Sequence, residues 1–234
     1  MPRDTLTKKQ IVDTAIELLD EEGLEGLNMR ALGKRLSSAA TAVYWHVKNK
    51  DNLVLLAGDQ VWDEIELPDL AAVDWRAAAV RMATGLHAML ARHPWLVQAM
   101  GSHVIYGPGK ARHDDRILAV YETAGFTGPE ADRASAAVFT YVLGSALAAS
   151  ATASLTRRLA RDADGAEQAL QEAMAQAREV ALRFPRLRTR LDTPAAAGYN
   201  ASPEQTFELG LRALLDGLET ELGTAQAPST AAAG

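Results

Sequence analysis

The chain has 234 residues, 48% of them hydrophobic, so it is long enough for two domains or one elongated domain with a substantial core. It contains no cysteine, which excludes disulfides, thiolate metal sites and cysteine nucleophiles. The formal net charge is -6, and the first residues lack the apolar segment of a signal peptide, so we expect a cytoplasmic protein.

The first predicted helix carries a complete start signal. Thr7 is placed to be its N-cap, Gln10 completes a capping box, and Gly23 supplies its end. A second helix is predicted to begin after Asn28, a residue type favoured at the N-cap. A third is predicted over about 38–47, after a connection of only a few residues. The second and third helices therefore have the layout of a helix-turn-helix.

The helix-turn-helix segment, residues 28–50, is cationic although the whole chain is acidic. It contains no Asp or Glu. A cationic surface on an acidic protein favours a polyanionic partner such as duplex DNA. From the charges alone, a solvated basic helix pair is an equally good interpretation. The cations are Arg30, Lys34, Arg35, Lys48 and Lys50.

The end of the third helix resembles the tetracycline-repressor (TetR) family of bacterial transcription regulators. Residues 43–51, with the sequence VYWHVKNKD, are similar to that family's aromatic-rich end of the recognition helix and the Lys-bearing turn into the fourth helix. Two places depart from the family pattern: Ser37 stands where Gly is usual, and the small Ala39 and Ala40 stand where base-reading side chains often lie. The resemblance continues weakly through residues 93–96, 124–126 and 141–144.

The resemblance implies an all-α fold with two parts. An N-terminal three-helix DNA-binding domain would cover residues 1–50, with a linking helix at about 51–66. A helical effector-binding and dimerisation domain would cover 67–222, and the low-complexity tail at 223–234 is predicted to be disordered.

Helix position and the family resemblance together assign a DNA-binding role to eight residues. Arg30 is expected to reach a phosphate or a guanine edge, and Thr41 and Ala42 are expected near base edges, where methyl groups suit thymine. Tyr44, His46 and Lys50 match family positions that contact the sugar-phosphate backbone, where contacts fix register more than sequence. The eight residues are Arg30, Ala40, Thr41, Ala42, Tyr44, His46, Lys48 and Lys50.

Helix signals divide the C-terminal part of the chain. Residues 184–203 are rich in Pro, Arg and Ala and are predicted to form a loop. Residues 134–155 carry no charge and are long enough to cross a bilayer, but their Ser, Thr, Ala and Gly favour a buried or dimer-forming helix, with no membrane partner. Predicted helices begin after Asp74, at Pro94, near Ala111, at Pro129, near Asp164 and at Pro203.

Large apolar side chains are spread over several of these helices, with a few polar ones among them. Plain core packing is the alternative for any single residue, and the family resemblance turns the set into a predicted effector pocket. His103 lies two or three residues from the family's metal-drug histidine, and we predict no metal and no cofactor. The predicted pocket residues are Trp62, Met82, Leu86, Met89, Met100, His103, Ile117, Tyr121, Ser135 and Phe139.

Gly144, Ala148 and Thr152 recur every four residues and form a stripe of small residues that permits close helix approach. We predict that this stripe forms part of a dimer interface, the alternative being packing inside the same chain. A two-fold operator favours a two-fold protein.

Enzymatic motifs for zinc proteases, serine hydrolases and nucleotide binding are missing from the sequence, and no two His are spaced i, i+4. We predict no catalytic residue. The resemblance implies a homodimeric repressor released from its operator by a small, largely apolar effector. An activator or ligand-independent repressor of the same fold, and a helical small-molecule-binding protein or enzyme, remain alternatives.

Overall fold

The computed structural model describes residues 6–37, 40–161, 166–191 and 203–226. Every element within these ranges is a helix, which confirms the predicted all-α fold. The elements are α1 (Lys8–Gly26), α2 (Met29–Arg35), α3 (Ala40–Val47), α4 (Lys50–Gln60), a 3-10 turn (Val61–Glu64), α5 (Trp75–Arg92), α6 (Pro94–Met100), α7 (Pro108–Ala124), α8 (Pro129–Arg161), α9 (Ala166–Leu182), α10 (Pro185–Leu191) and α11 (Pro203–Gln226).

Helix α1 begins with the predicted capping box. The Gln10 N–H donates to Oγ1 of Thr7 (3.2 Å), and the Thr7 N–H donates to Oε1 of Gln10 (2.8 Å). Gly23 has φ +71°, so the helix kinks there and continues to Gly26 instead of ending. Glycine adopts this left-handed conformation without steric cost. The predicted end at Gly23 was therefore one turn early.

Helices α2 and α3 form the helix-turn-helix. Asn28 caps α2 by accepting a hydrogen bond from the Ala31 N–H (2.8 Å). The turn after α2 includes Ser37 at φ +47°, in the left-handed region that favours glycine. The predicted helix start at residue 38 lies outside the described residues. Val43 and Val47 are fully buried, which fixes the opposite side of α3 toward solvent.

Helix α4 joins the helix-turn-helix to the rest of the molecule. It begins at Asn49, whose side chain accepts a hydrogen bond from the Asn52 N–H (2.7 Å). The sequence predicts one linking helix over about 51–66, whereas the last turn of that segment, Val61–Glu64, is a 3-10 turn. Leu53, Val54 and Ala57 are buried, so α4 is packed between the two parts of the chain.

The N-terminal helices are fastened to the C-terminal part through His93, which lies between α5 and α6. Its Nδ1 is 2.7 Å from Oδ1 of Asp20 in α1, and its Nε2 is 3.0 Å from Oε1 of Glu64. The indole of Trp95 donates to the same Asp20 oxygen (2.7 Å). Burial alone lowers the pKa of His93, but the hydrogen bonds and charges of Asp20 and Glu64 outweigh it and hold that pKa above its usual value.

The C-terminal helices pack α5, α7 and α8 around one core, with α11 against α8. Asp74 caps α5 as predicted, by accepting a hydrogen bond from the Ala77 N–H (2.8 Å). Helix α7 begins at Pro108 rather than near Ala111. Proline suits the first turn because it has no N–H to leave unsatisfied there.

Two predictions for the C-terminal end were wrong. Residues 184–203 were predicted as a loop, but Pro185–Leu191 form α10, with Pro185 in the first turn. The predicted tail at 223–234 includes the last turn of α11, which runs to Gln226. The rest of the predicted tail, residues 227–234, and the loop residues 192–202 lie outside the described residues.

Among the described helices, α8 alone is long and apolar enough to cross a membrane: Pro129–Arg157 has a mean hydropathy of 1.5. Core helices of soluble proteins meet the same criteria. Its polar side chains bond within the chain: the Ser150 hydroxyl donates to the Pro94 carbonyl (2.6 Å), and Ser145 donates to the Tyr141 carbonyl (2.9 Å).

Candidate nucleic-acid interface and ligand cavity

Helix α3 presents an aromatic and cationic surface to solvent. Tyr44 is 48% exposed and Trp45 is 88% exposed. His46 and Lys48 are also exposed. We call these four side chains the recognition face.

Trp45 was not among the predicted DNA-binding residues. The sequence contained a signal for it, because residue 45 lies midway between the buried Val43 and Val47 and so points to the opposite side of the helix. An indole this exposed on a monomer is unusual for so large an apolar group, which favours a contact with a partner.

Two of the five cations in residues 28–50 are already engaged inside the protein. The Arg35 guanidinium forms an ion pair with Glu21 of α1. The Lys50 ammonium donates to the Leu24 carbonyl (2.7 Å) at the end of α1. Sequence composition could not show these pairings, because both join residues far apart in the chain. Lys50 therefore positions α4 against α1, in addition to any contact it makes with a partner.

The other three cations remain available. Arg30, Lys34 and Lys48 are exposed, and none of them makes an ion pair with a described carboxylate. Arg30 lies in the first turn of α2. Of the predicted base-reading residues, Ala42 is half-buried, and the side chains of Ala40 and Thr41 lie outside the described part of the chain.

A cavity of about 290 Å³ lies among α5, α7 and α8, at the small end of the usual range for ligand sites. Five predicted pocket residues line it, namely Met82, Leu86, Ile117, Ser135 and Phe139. The full lining is Met82, Ala83, Leu86, Lys110, His113, Asp114, Ile117, Leu118, Asp132, Ser135, Ala136, Val138, Phe139 and Val142.

The other five predicted pocket residues lie outside this lining. Trp62 is buried behind it, in contact with His113. Met89 and Tyr121 are fully buried in the core, and burial raises the pKa of Tyr121. Met100 is half-buried at the end of α6. His103 follows α6, with Nε2 3.6 Å from Oδ1 of Asp51. Apolar spacing identifies core positions but cannot show which of them border empty space.

Of the polar lining, only Ser135 was predicted, and the charged residues were missed. The Lys110 ammonium pairs with Asp114 (2.7 Å) and lies 4.8 Å from the Trp62 ring centroid and 5.2 Å from that of Phe139. Burial alone raises the pKa of Asp114, but the neighbouring His113 ring and Lys110 outweigh it and hold that pKa below its usual value. Lys110 and Asp114 are spaced i, i+4, and in a sequence this spacing predicts an ion pair on the exposed surface of a helix.

His113 is the most unusual member of the lining. It is 5% exposed, and neither ring nitrogen has a hydrogen-bond partner among the described residues. Its Nδ1 is 3.6 Å from Asp114 Oδ1, which is too long for a hydrogen bond. Buried polar groups are ordinarily hydrogen-bonded, so an unpaired one beside a cavity calls for a functional explanation.

A second cavity, of about 550 Å³, lies next to Phe126 and between α8 and α11. It is larger, but no residue with a buried, unpaired side-chain atom lines it. We therefore take the cavity around His113 as the candidate ligand site.

Helix α4 contacts the start of the cavity-lining helix α7 through Asp59. Its Oδ2 accepts a hydrogen bond from the Gly109 N–H (3.1 Å), and its Oδ1 accepts one from the Lys110 N–H (3.0 Å). A side chain at Gly107 or Gly109 would clash with Asp59. The close approach thus requires glycine, and it ties α4 to the residue whose side chain enters the cavity.

The predicted dimer stripe is exposed along α8. Gly144, Ala148 and Thr152 are exposed, and no atom of the described residues lies within 4 Å of where a Gly144 Cβ would stand. Leu147 (59% exposed) and Leu155 (40% exposed) are also on this helix. Among the described residues, therefore, none packs against Gly144, and the dimer interface stays a prediction. Within the described residues, no group of three His, Asp or Glu side chains is arranged to hold a metal ion.

Two family profiles match the chain. Residues 11–57 match "Bacterial regulatory proteins, tetR family", and residues 67–222 match "Tetracyclin repressor-like, C-terminal domain". The chain belongs to the TetR family. This confirms the family predicted from residues 43–51 and places the chain, with its helix-turn-helix, among bacterial regulatory proteins.

Curated relatives agree with this assignment. An HTH-type transcriptional regulator of Saccharopolyspora erythraea is 37% identical over 145 residues, covering 62% of this chain and 61% of the relative. The HTH-type transcriptional repressor DrrR1 of Streptomyces coeruleorubidus is 37% identical over 146 residues, covering 62% of this chain and 54% of the relative. The match thus spans little more than half the length of either relative.

Solved structures show the same fold over nearly the whole chain. The Streptomyces coelicolor TetR family protein ActR in complex with actinorhodin superposes with a TM-score of 0.73 at 28% identity, covering 95% of this chain and 100% of that protein. Apo ActR gives a TM-score of 0.70 at 25% identity, covering 95% and 99%. Members of the TetR family bind operator DNA and small-molecule effectors, typically as dimers.

Proposed function

We propose that this TetR-family protein is a cytoplasmic, homodimeric repressor that leaves its operator when a small, largely apolar molecule binds the cavity around His113. The observation that carries the proposal is the Asp59 contact, which joins α4, the helix following the recognition helix, to the cavity-lining start of α7. A ligand site and a DNA-binding face in one chain give a regulator only if something couples them.

The DNA-binding part of the proposal rests on residues 1–50. The recognition helix α3 would enter the major groove with Thr41 and Ala42 toward base edges. Exposed Tyr44, His46 and Lys48 would contact the sugar-phosphate backbone, and the exposed Trp45 would add a further contact. Arg30 lies at the start of α2, from which it would reach a phosphate or a guanine edge.

The proposed coupling is a difference in affinity. A ligand that displaces Lys110 moves the start of α7, and Asp59 carries that displacement into α4. Helix α4 in turn holds the end of α3, because the Asn52 side chain donates to the Val47 carbonyl (3.0 Å). The ligand would then favour an arrangement in which the two recognition helices are wrongly spaced for successive major grooves, so DNA and ligand oppose each other.

The proposed dimer uses the exposed faces of α8 and α11 in the effector-binding and dimerisation domain, residues 67–222. Gly144, Ala148 and Thr152 give α8 a smooth exposed surface, and within the described part of the chain no atom would meet a Cβ at Gly144. Exposed Leu147 adds apolar area to be buried. Two copies related by a two-fold axis would present two recognition helices to a pseudo-palindromic operator.

The test is a gel shift with the full chain and duplex DNA from upstream of its own gene. Three available cations per protomer predict about six neutralised phosphates per dimer, hence a log–log salt slope of about -5. Random duplex of the same length is the control and should bind more weakly. An affinity that does not change with salt, or equal binding to both duplexes, would contradict the proposed repressor function.

A further inference from the structure

We infer that the effector is an uncharged aromatic hydroxyl compound, of the phenol class, whose hydroxyl group bonds the imidazole of His113. The inference deepens the proposed function and rests on it, because it takes the cavity to be the effector site. It follows from three features of the cavity: an unpaired imidazole, aromatic walls, and a cation that is already neutralised.

The unpaired imidazole requires a polar group on the ligand. Neither nitrogen of His113 has a hydrogen-bond partner among the described residues, although the residue is only 5% exposed. A neutral imidazole has one N–H donor and one bare acceptor nitrogen. A hydroxyl group can donate to the bare nitrogen or accept from the N–H, so it suits whichever nitrogen faces it. Leaving the imidazole unpaired destabilises the empty protein, which is a cost that ligand binding removes.

The aromatic walls favour a flat ring. Phe139 lines the cavity, and Trp62 lies behind it with its ring 6.4 Å from Phe139 at an interplanar angle of 25°. The Trp62 ring also meets His113 edge-on at 4.9 Å. Rings prefer offset-stacked or edge-on neighbours, so the Phe139 and His113 rings in the lining, backed by Trp62, suit a planar aromatic ligand. The volume of about 290 Å³ favours a compact ring system over a long chain.

The charges in the lining favour an uncharged ligand. Lys110 is the one cation in the lining, and Asp114 already neutralises it. Asp132 adds a second carboxylate, which would repel an anionic ligand. A ligand cation would meet Lys110, whose ammonium already lies over the Trp62 and Phe139 rings. The electrostatic cost of a net charge on either side is high in a partly desolvated site.

The test compares three compounds that share one ring system: 2-naphthol, naphthalene and 2-naphthoate. Calorimetric titration of the full chain should give 2-naphthol roughly tenfold or more tighter binding than naphthalene, because only the hydroxyl satisfies the imidazole. 2-Naphthoate should bind more weakly than 2-naphthol. The variant His113→Leu should bind 2-naphthol and naphthalene about equally.

The control variant is His87→Leu, which replaces another histidine of the same domain. His87 stacks on Phe207 and does not line the cavity, so this variant should keep the preference for 2-naphthol. Without ligand, His113→Leu should melt about 2–4 °C higher than the parent, since it removes an unpaired buried polar group.

Several results would overturn the inference. They are equal binding of 2-naphthol and naphthalene by the parent, a preference kept in His113→Leu, tighter binding of 2-naphthoate, and no binding of any of the three. A lower melting temperature or unfolding of His113→Leu would also do so, by showing that the imidazole is structural. The gel shift tests the proposed function separately. A protein that prefers 2-naphthol but binds no operator would contradict the proposed repressor function and leave the ligand assignment standing.

Discussion

The recognition face and the cavity both combine cations with aromatic rings. They differ in whether the cation is already paired with a carboxylate. On the recognition face, Trp45 is 88% exposed and the neighbouring Lys48 makes no ion pair with a described carboxylate. In the cavity, Lys110 lies over Trp62 and is held by Asp114.

The difference indicates what each site can bind. A free surface cation releases counterions when it meets a phosphate, so the recognition face suits a polyanion. A paired interior cation gains little from a second anion, and the group left without a hydrogen-bond partner there, among the described residues, is the His113 imidazole. The recognition face thus offers positive charge to a partner, and the cavity offers a hydrogen-bonding group to a ligand.

The largest expected effect concerns dimerisation, which would bring two recognition faces together on one operator. Gly144→Leu adds bulk at a point where none of the residues that the structure describes lies within 4 Å of the new Cβ, so the variant should fold normally. If α8 meets its copy there, overpacking costs about 1–3 kcal/mol at each of two symmetric places and weakens the dimer by about 2–6 kcal/mol. Sedimentation over a dilution series measures this. Ala91→Leu, at an exposed position of α5, is the matched control. An unchanged dimer, or a monomeric parent, would show that the interface is elsewhere.

A second prediction separates available from engaged cations on the DNA-binding side. Lys48→Ala removes an exposed cation, so the log–log salt slope of operator binding should become shallower by roughly 2 for a dimer. Arg35→Ala removes a cation already paired with Glu21, so its slope should stay close to that of the parent. Gel shifts at several salt concentrations give both slopes. Equal changes in the two variants would contradict the distinction between the two groups of cations.

The third prediction cuts the connection between the two regions. Asp59→Ala leaves the N–H groups of Gly109 and Lys110 at the start of α7 without their acceptor, which should cost about 0.5–2 kcal/mol, as the loss of a helix cap does. Urea denaturation measures this loss. In gel shifts, 2-naphthol should release the parent from DNA but should release this variant much less. Asp63→Ala, which removes a nearby exposed ion pair with Arg112, is the control. A variant that still responds fully would exclude Asp59 as the transmitter.

Local signals explain how much of this arrangement the sequence could predict. The side chains of Thr7, Asn28 and Asp74 each accept a hydrogen bond from a backbone N–H three residues away, so these caps can be predicted from the local sequence. The alternation of buried and exposed positions in α3 is local in the same way. By contrast, Pro185 was read as part of a loop, although proline also opens helices.

The cavity was only half predicted because its chemistry depends on contacts between distant segments. The apolar spacing of α5 and α8 identified Met82, Leu86 and Phe139. Nothing in the spacing of Lys110 distinguishes a cation that points inward from one in a surface ion pair. The same limit applied to the cations of residues 28–50, where pairing with α1 was invisible until the helices were packed together.

The smallest expected effect is a pH dependence at the junction of the two regions. His93 bonds Asp20 of α1 and Glu64 of the 3-10 turn, and these two carboxylates hold its pKa above the usual value of 6.5 despite burial. Protonation therefore favours the folded state. This stabilisation is complete below pH 6.5 and is lost as the pH rises through the raised pKa.

The free energy of unfolding, measured by urea denaturation from pH 6 upward, should accordingly fall as His93 loses its proton. His93→Gln should flatten that decline. His87→Gln is the matched control with the opposite sign, because burial lowers the pKa of His87 and its titration affects stability only below about pH 6.5. Near the carboxylates, Arg92 bonds Glu64 and Arg157 reaches the Asp20 carbonyl, and both stay charged throughout this range. A decline of the same size in His93→Gln would show that the junction is held by packing around Trp95 rather than by the charge on His93.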